Sequence, residues 1–186
     1  MADRRQRRRH RNPLRVILRR TLLILAAILI LIFGISYAEG TVDVTGSSMY
    51  PSLQPGDRAF SEPVSYLVRE PARGDIVRFS TGAGSGRALV RRIVGLPGET
   101  VQIIGGKVYI NGAALDESGY TSGEIQYAGT ASMPHTLSQD AYFVMADNRS
   151  SSFDSRDPTV GDIHKSNING RLWLRYAPLR RFRLLQ

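Results

Sequence analysis

Residues 21–38, TLLILAAILILIFGISYA, carry no charged side chain, and this run limits what the chain can fold into more than any other. As a helix rising 1.5 Å per residue it would be about 27 Å long, close to a hydrocarbon core of about 30 Å. Residues 1–20 before it hold nine arginines against one acid, Asp3. A buried core helix would hardly be apolar on every face beside so much charge. A cleaved signal peptide would suit the small Ser36 and Ala38, but its apolar run is usually about 7 to 15 residues. The run is therefore read as an uncleaved transmembrane anchor with the lipid bilayer as its partner. The Arg-rich segment 1–20 then stays in the cytoplasm by the positive-inside rule, and residues 39–186 lie outside the cytoplasmic membrane.

The formal charge of +9 invites a nucleic-acid reading. Beyond residue 20, however, 16 basic and 15 acidic residues nearly cancel. The basicity is an N-terminal address, and the adjacent anchor accounts for Arg4 to Arg11 without nucleic acid. With no cysteine there is no disulfide framework and no thiolate metal site or nucleophile, and neither a metal nor a cofactor is expected. Arginine outnumbers lysine 23 to 2, the lysines being Lys107 and Lys165.

From Thr41 the hydrophobic period shortens. Runs rich in Val, Ile, Tyr and Phe at 75–80, 88–94, 100–104, 107–110, 141–145 and 171–176 alternate with Gly, Pro, Asn and Asp, and predict short strands. The Gly105-Gly106 and Asn111-Gly112 pairs predict hairpin turns. Residues 64–69 could make a turn or two of helix, and 81–87 and 116–134 read as exposed loops. The fold class is therefore mostly β: an N-terminal transmembrane helix, then one antiparallel β domain. The basic, apolar end 179–186 predicts a tail packed on that domain, with a membrane-surface contact as second reading.

Ser48 sits in TGSSMYPSLQPGD (45–57), a small polar nucleophile between apolar residues and turn formers. Three further blocks follow in order: RGDIVRF (73–79), VRRIVGLPGE (90–99) and MADNRSSSFDSR (145–156). Together with GDIHKSNINGRLWLRYAP (161–178), they closely resemble the type I signal peptidases in compact form. These are membrane-anchored serine endopeptidases that cut signal peptides from exported preproteins. The resemblance implies an antiparallel β catalytic domain with Ser48 as nucleophile, its own backbone N–H receiving the oxyanion, and Gly46 where some members add a hydroxyl. It places Ser152 as orienter of the catalytic amine, and pairs Asp147 with Arg92 and Asp154 with Arg156. It implies that signal peptides bind as an extended strand between the segment flanking Ser48 and residues 87–90, with shallow pockets for small residues at minus three and minus one. Ala146 stands where the family more often has Gly.

One position departs from the family. The general-base lysine falls at Arg91. Burial moves a lysine from about 10.4 toward neutrality, but a guanidinium starts at about 12.5 to 13.8 and is effectively never deprotonated. Bringing it to about 7 would take roughly 7 to 9 kcal/mol, so Arg91 is not a conventional base. Three readings stay open: a non-catalytic relative acting as a binding or assembly factor in secretion; activation of Ser48 by another group, with His135 and His164 the candidates; or an inactivating change or sequence error at this codon. Asp147 could also be captured by Arg91.

Overall fold

The computed structural model describes residues 13–81, 88–151 and 153–185, and inside the first helix the side chains of 13, 31–33 and 35–39 are excluded. Most of the Arg-rich segment, nearly all of the 81–87 loop, and Ser152 lie outside the described residues. The chain forms two units, Met1–Ala38 and Glu39–Gln186.

Helix α1, Pro13–Glu39, is continuous, and each described side chain from Leu14 to Ile30 is exposed. Among the described residues no helix is long and apolar enough to cross a membrane. The uncharged run continues through 31–33 and 35–38, whose side chains are outside the description.

The second unit is antiparallel β. One sheet contains β1 (Thr41–Asp43), β2 (Arg58–Glu62), β3 (Ile76–Ser80) and β4 (Ala88–Gly95). A second contains β5 (Thr100–Ile104), β6 (Lys107–Ile110), β7 (Ala113–Ala114) and β8 (His135–Thr136). The chain then returns to the first as β9 (Ala141–Met145), β10 (Ile163–His164), β11 (Ile168–Ala177) and β12 (Arg183–Leu184). The large sheet runs β1-β2-β11-β3-β4-β9-β10, with β12 on β11, and the small one β7-β6-β5-β8. A single helical turn, α2, covers Ser65–Val68.

Strand β9 is buried at all five positions because each face meets a different core. Tyr142 and Val144 pack with Val77, Phe79 and Ile93, whereas Phe143 and Met145 join Val101, Ile103 and Val108 of the small sheet. In β5 and β6 the alternation is plain: Val101, Ile103, Val108 and Ile110 point inward. Their hairpin turns on Gly105 and Gly106, both at positive φ, and Asn111 and Gly112 take the same region before β7.

The predicted runs all contain strands, but six short ones were not legible in the sequence. Strand β2 points Ala59 and Ser61 inward, so small residues carry its alternation and the large apolar signal is missing. The others are two or three residues long. Residues 116–134 are not simply an exposed loop: Ala131 is fully buried, and Ile125 and Ala128 pack against the core with it.

The C-terminal tail docks on the domain. Leu185 is buried with Met49, Leu53 and Leu172. Asp57, fully buried, receives Gln54 N–H at 2.8 Å and the Arg175 guanidinium at 3.4 Å. Arg181 Nη2 lies 2.9 Å from its other oxygen, a charge contact without the alignment of a hydrogen bond. Removing one partner of such a buried set leaves unpaired charge, so Asp57→Ala is expected to lose about 3 to 5 kcal/mol of stability in urea unfolding. Asp43→Ala, which breaks an exposed pair with Arg58, should lose no more than about 1 kcal/mol.

Candidate active site

The loop carrying Ser48 is held from three directions. Met49 and Leu53 are both buried and anchor it in the core. Val44 donates its N–H to Asp57 O at 2.9 Å and Gly56 to Val44 O at 2.8 Å, closing the loop at its base. Behind it, Asn148 N–H donates to Ser48 O at 2.9 Å, Asn148 Nδ2 to Ser47 O at 3.4 Å, and Ser122 Oγ to Tyr50 O at 2.9 Å. These bonds occupy the backbone carbonyls and leave the Ser48 hydroxyl on the opposite, open side. Among the described residues the Ser48 backbone N–H makes no hydrogen bond.

That open side is a cleft of about 520 Å³. One wall is the segment 42–46, the other is residues 88–91 of β4, and Met49, Leu53 and Phe153 also line it. Both walls are strand edges. β1 pairs only with β2, at the end of the sheet. β9 joins β4 only from Arg92 onward, so among the described residues Ala88 to Arg91 have a ladder partner, β3, on one side alone. Gly46 belongs to the first wall, and a Cβ built there meets no heavy atom within 4 Å.

Arg91 reaches Ser48 from β4. Its Nη1 donates to Ser48 Oγ at 3.0 Å and to Val90 O at 2.6 Å, while Nε and Nη2 both donate to Phe153 O, at 3.0 and 2.7 Å. The residue is 5% exposed. Burial pushes its pKa down, and the nearby Asp154 carboxylate pulls it back up. All five N–H groups of a guanidinium are donors and none is an acceptor. The Arg91–Ser48 bond therefore holds Oγ in place and favours negative charge on it, but takes no proton from it.

Both nearby carboxylates belong to other arginines. Asp147 pairs with Arg92 through two bonds of 2.8 Å, and Asp154 pairs with Arg156 at 2.9 and 2.7 Å. Both aspartates are fully buried. Arg91 does not capture Asp147, because neighbouring residues on a strand point to opposite faces. Arg92 points away from the cleft, where it also donates to Gly74 O at 2.6 Å and to Ser52 Oγ at 3.0 Å, and stacks 4.3 Å from the Tyr120 ring centroid. The Asp154–Arg156 pair braces β9 through Ala146 N–H to Asp154, 2.9 Å.

The two histidines proposed as alternative bases have partners elsewhere. His135 lies 2.9 Å from Asp162 and exposed His164 2.9 Å from Asp140, and neither lines the cleft. Among the described residues no group of three His, Asp or Glu side chains could hold a metal ion. Sequence reasoning missed Ser122, the Phe153 carbonyl, and Glu117, whose carboxylate takes Arg149 at 2.5 and 2.8 Å. Asn148 and Phe153, both inside the MADNRSSSFDSR block, had a signal that could have found them.

A family model described as signal peptidase, peptidase S26, matches residues 17–177. A Synechocystis protein described as "Probable signal peptidase I-2" is 37% identical over 147 residues, covering 76% of this chain and 65% of the relative, just under two thirds of its length. Signal peptidase I S of Bacillus subtilis is 33% identical over 172 residues, covering 88% of this chain and 90% of the relative. The crystal structure of a signal peptidase I from Enterococcus faecalis aligns at a TM-score of 0.45 and 29% identity, over 56% of this chain and 98% of that one.

The geometry predicts that the two buried carboxylates matter for stability before any chemistry. Asp147→Ala leaves the Arg92 guanidinium buried without its anion and should cost about 3 to 5 kcal/mol in chemical denaturation. Gly46→Ser, entering open space, should stay within about 0.5 kcal/mol of the parent.

Proposed function

The chain belongs to the signal peptidase, peptidase S26, family, and from that premise we propose that it is a serine endopeptidase of the signal peptidase I type, cutting signal peptides from exported preproteins with Ser48 as nucleophile. The observation that carries this reading is a hydroxyl aimed into a cleft whose two walls are strand edges. An extended peptide adds to such an edge through main-chain hydrogen bonds, and side chains alternate into the walls. Val42, Val44, Leu89 and Val90 give those walls apolar positions, beside Asp43 and Thr45 on the first and Arg91 on the second.

In the reaction, Ser48 Oγ bonds to the scissile carbonyl carbon and loses its proton. The carbonyl oxygen becomes an anion that the uncommitted Ser48 N–H can receive. Collapse releases the amine of the mature protein and leaves an acyl-enzyme, which water hydrolyses. Gly46 adds no hydroxyl to the oxyanion site. Ser152 is the proposed support for residue 91. The Asp147–Arg92 and Asp154–Arg156 pairs fix β4 and the 145–156 segment on which the geometry rests.

Arg91 changes how the proton leaves. A guanidinium lowers the cost of an adjacent alkoxide but cannot accept its proton, so the proton passes to water or hydroxide. A positioned general base is worth about 10² to 10⁴ in rate, and its absence makes this enzyme slow at neutral pH.

The exposed helix α1 supports the proposed location. Seventeen consecutive described side chains, 14–30, are exposed on every face of the helix, and apart from Arg15, Arg19, Arg20 and Thr21 they are apolar. An apolar helix exposed all round calls for an apolar medium. The proposed arrangement is a single pass over 21–38, with the arginines inside and the β unit outside.

Cleavage of a signal-peptide substrate in detergent micelles tests the chemistry. Arg91→Lys should raise kcat/KM by about 10² to 10⁴ near pH 9, and Ser48→Ala should abolish cleavage. An Arg91→Lys protein that cuts no faster than the parent would sink the role given to Arg91. The pH profiles should differ in shape as well. With Arg91 cationic throughout, the parental rate depends on hydroxide and should climb about tenfold per pH unit without a plateau up to about pH 10. The lysine variant should level off once its amine is neutral.

A further inference from the structure

Arg91 is an anomaly of charge as well as of catalysis. The residue is 5% exposed, yet the partners of its guanidinium are two carbonyl oxygens and one hydroxyl, all neutral. Four of its five N–H groups make these bonds, and among the described residues the fifth makes none. Asp147 and Asp154 are each held bidentately by another arginine. A buried cation without a carboxylate is costly. This one lies in the wall of an open cleft, beside a hydroxyl that can also donate a hydrogen bond. Those are the fittings of an anion site.

The cleft indicates which anion. Its walls are two strand edges that present Val42, Val44, Leu89 and Val90, and the Asp43 carboxylate on the first wall is paired with Arg58, so an occupant fitting its length is an extended apolar peptide whose anionic group stands at Ser48. A peptide side chain on a strand would point into a wall, whereas its terminal carboxylate lies on the main-chain axis, at the height of the Ser48 hydroxyl. We infer that the cleft beside Ser48 and Arg91 is a binding site for the free C-terminal carboxylate of an extended apolar peptide, held by the Arg91 guanidinium and the Ser48 hydroxyl. The inference rests on the peptide-groove reading above and extends it to the product side. When water adds to the acyl carbon of the acyl-enzyme, the C–Oγ bond breaks, Oγ regains a proton and the peptide leaves as a carboxylate. That carboxylate is made next to a fixed positive charge. A neutral lysine at the same position would not retain it, and a guanidinium does. The released peptide is therefore an inhibitor of this chain.

The test uses the full chain in detergent micelles and a dye-labelled apolar peptide ending in Ala-Gln-Ala, as the free acid and as the C-terminal amide, followed by fluorescence anisotropy at neutral pH. A terminal carboxyl is ionised there, its pKa being about 3.5. The free acid should bind at least about tenfold tighter than the amide, the ratio a charge-assisted hydrogen bond gives. In Arg91→Gln the two should bind alike, at the affinity the amide has for the parent. Equal affinity of acid and amide for the parent overturns the inference while leaving the groove standing, and this arm needs no variant to fold. A preference that survives in Arg91→Gln moves the anion site elsewhere and overturns it too. If neither peptide binds the parent, the groove reading falls with it.

Discussion

Everything around Ser48 depends on two arginines that follow one another on a single strand. The strand pleat sends Arg91 toward the cleft and Arg92 toward the far side. Among the described residues the buried carboxylate facing β4, Asp147, lies on the far side and takes Arg92 through a bidentate pair. The second buried carboxylate, Asp154, is closed off by Arg156 two residues along. The network is thus saturated without Arg91, which is left with carbonyl oxygens and the Ser48 hydroxyl. Its position is rigid because Phe153 O takes two of its hydrogens.

The same network divides labour between strength and chemistry. Ion pairs that are fully buried and hydrogen-bonded are expensive to break, so they hold β4, β9 and the 145–156 segment in register. The bonds that set the Ser48 backbone are weaker, and come from Asn148 and Ser122 on neighbouring segments. Held by its own carbonyl, Ser48 keeps its hydroxyl on the cleft side, where Arg91 meets it. The aromatic ring of Tyr120 over Arg92 adds to the closure of the far side; burial beside the Glu117 carboxylate raises its pKa to about 12 and keeps it neutral.

Much of this was legible in the sequence, for identifiable reasons. Strands such as β5 and β6 declared themselves because large β-branched residues alternate, and their turns did because Gly and Asn are needed at positive φ. Ser48 and the four aspartates and arginines around it lie in blocks distinctive enough to be placed from order and spacing. Strands β2 and β12 escaped because their inward residues are small or their length is two, and register there is decided by partners far along the chain. Ser122 escaped for a related reason: it sits in a stretch with the composition of a loop, and the parallel bridge to Asn148 brings it behind Ser48. That Arg91 lacks an acid could not be read from composition, since it follows from which face of β4 each arginine takes.

The docking of the C-terminal tail has a consequence in time. Leu185 fills the core beneath Met49 and Leu53, and Arg181 closes the charge around Asp57, all within the loop that carries Ser48. The floor of that loop is therefore supplied by residues synthesised long after the loop itself. A nascent chain can form both sheets in large part and still lack the wedge that seats residues 49 and 53. The order of synthesis thus completes the Ser48 loop only after β12 has been made.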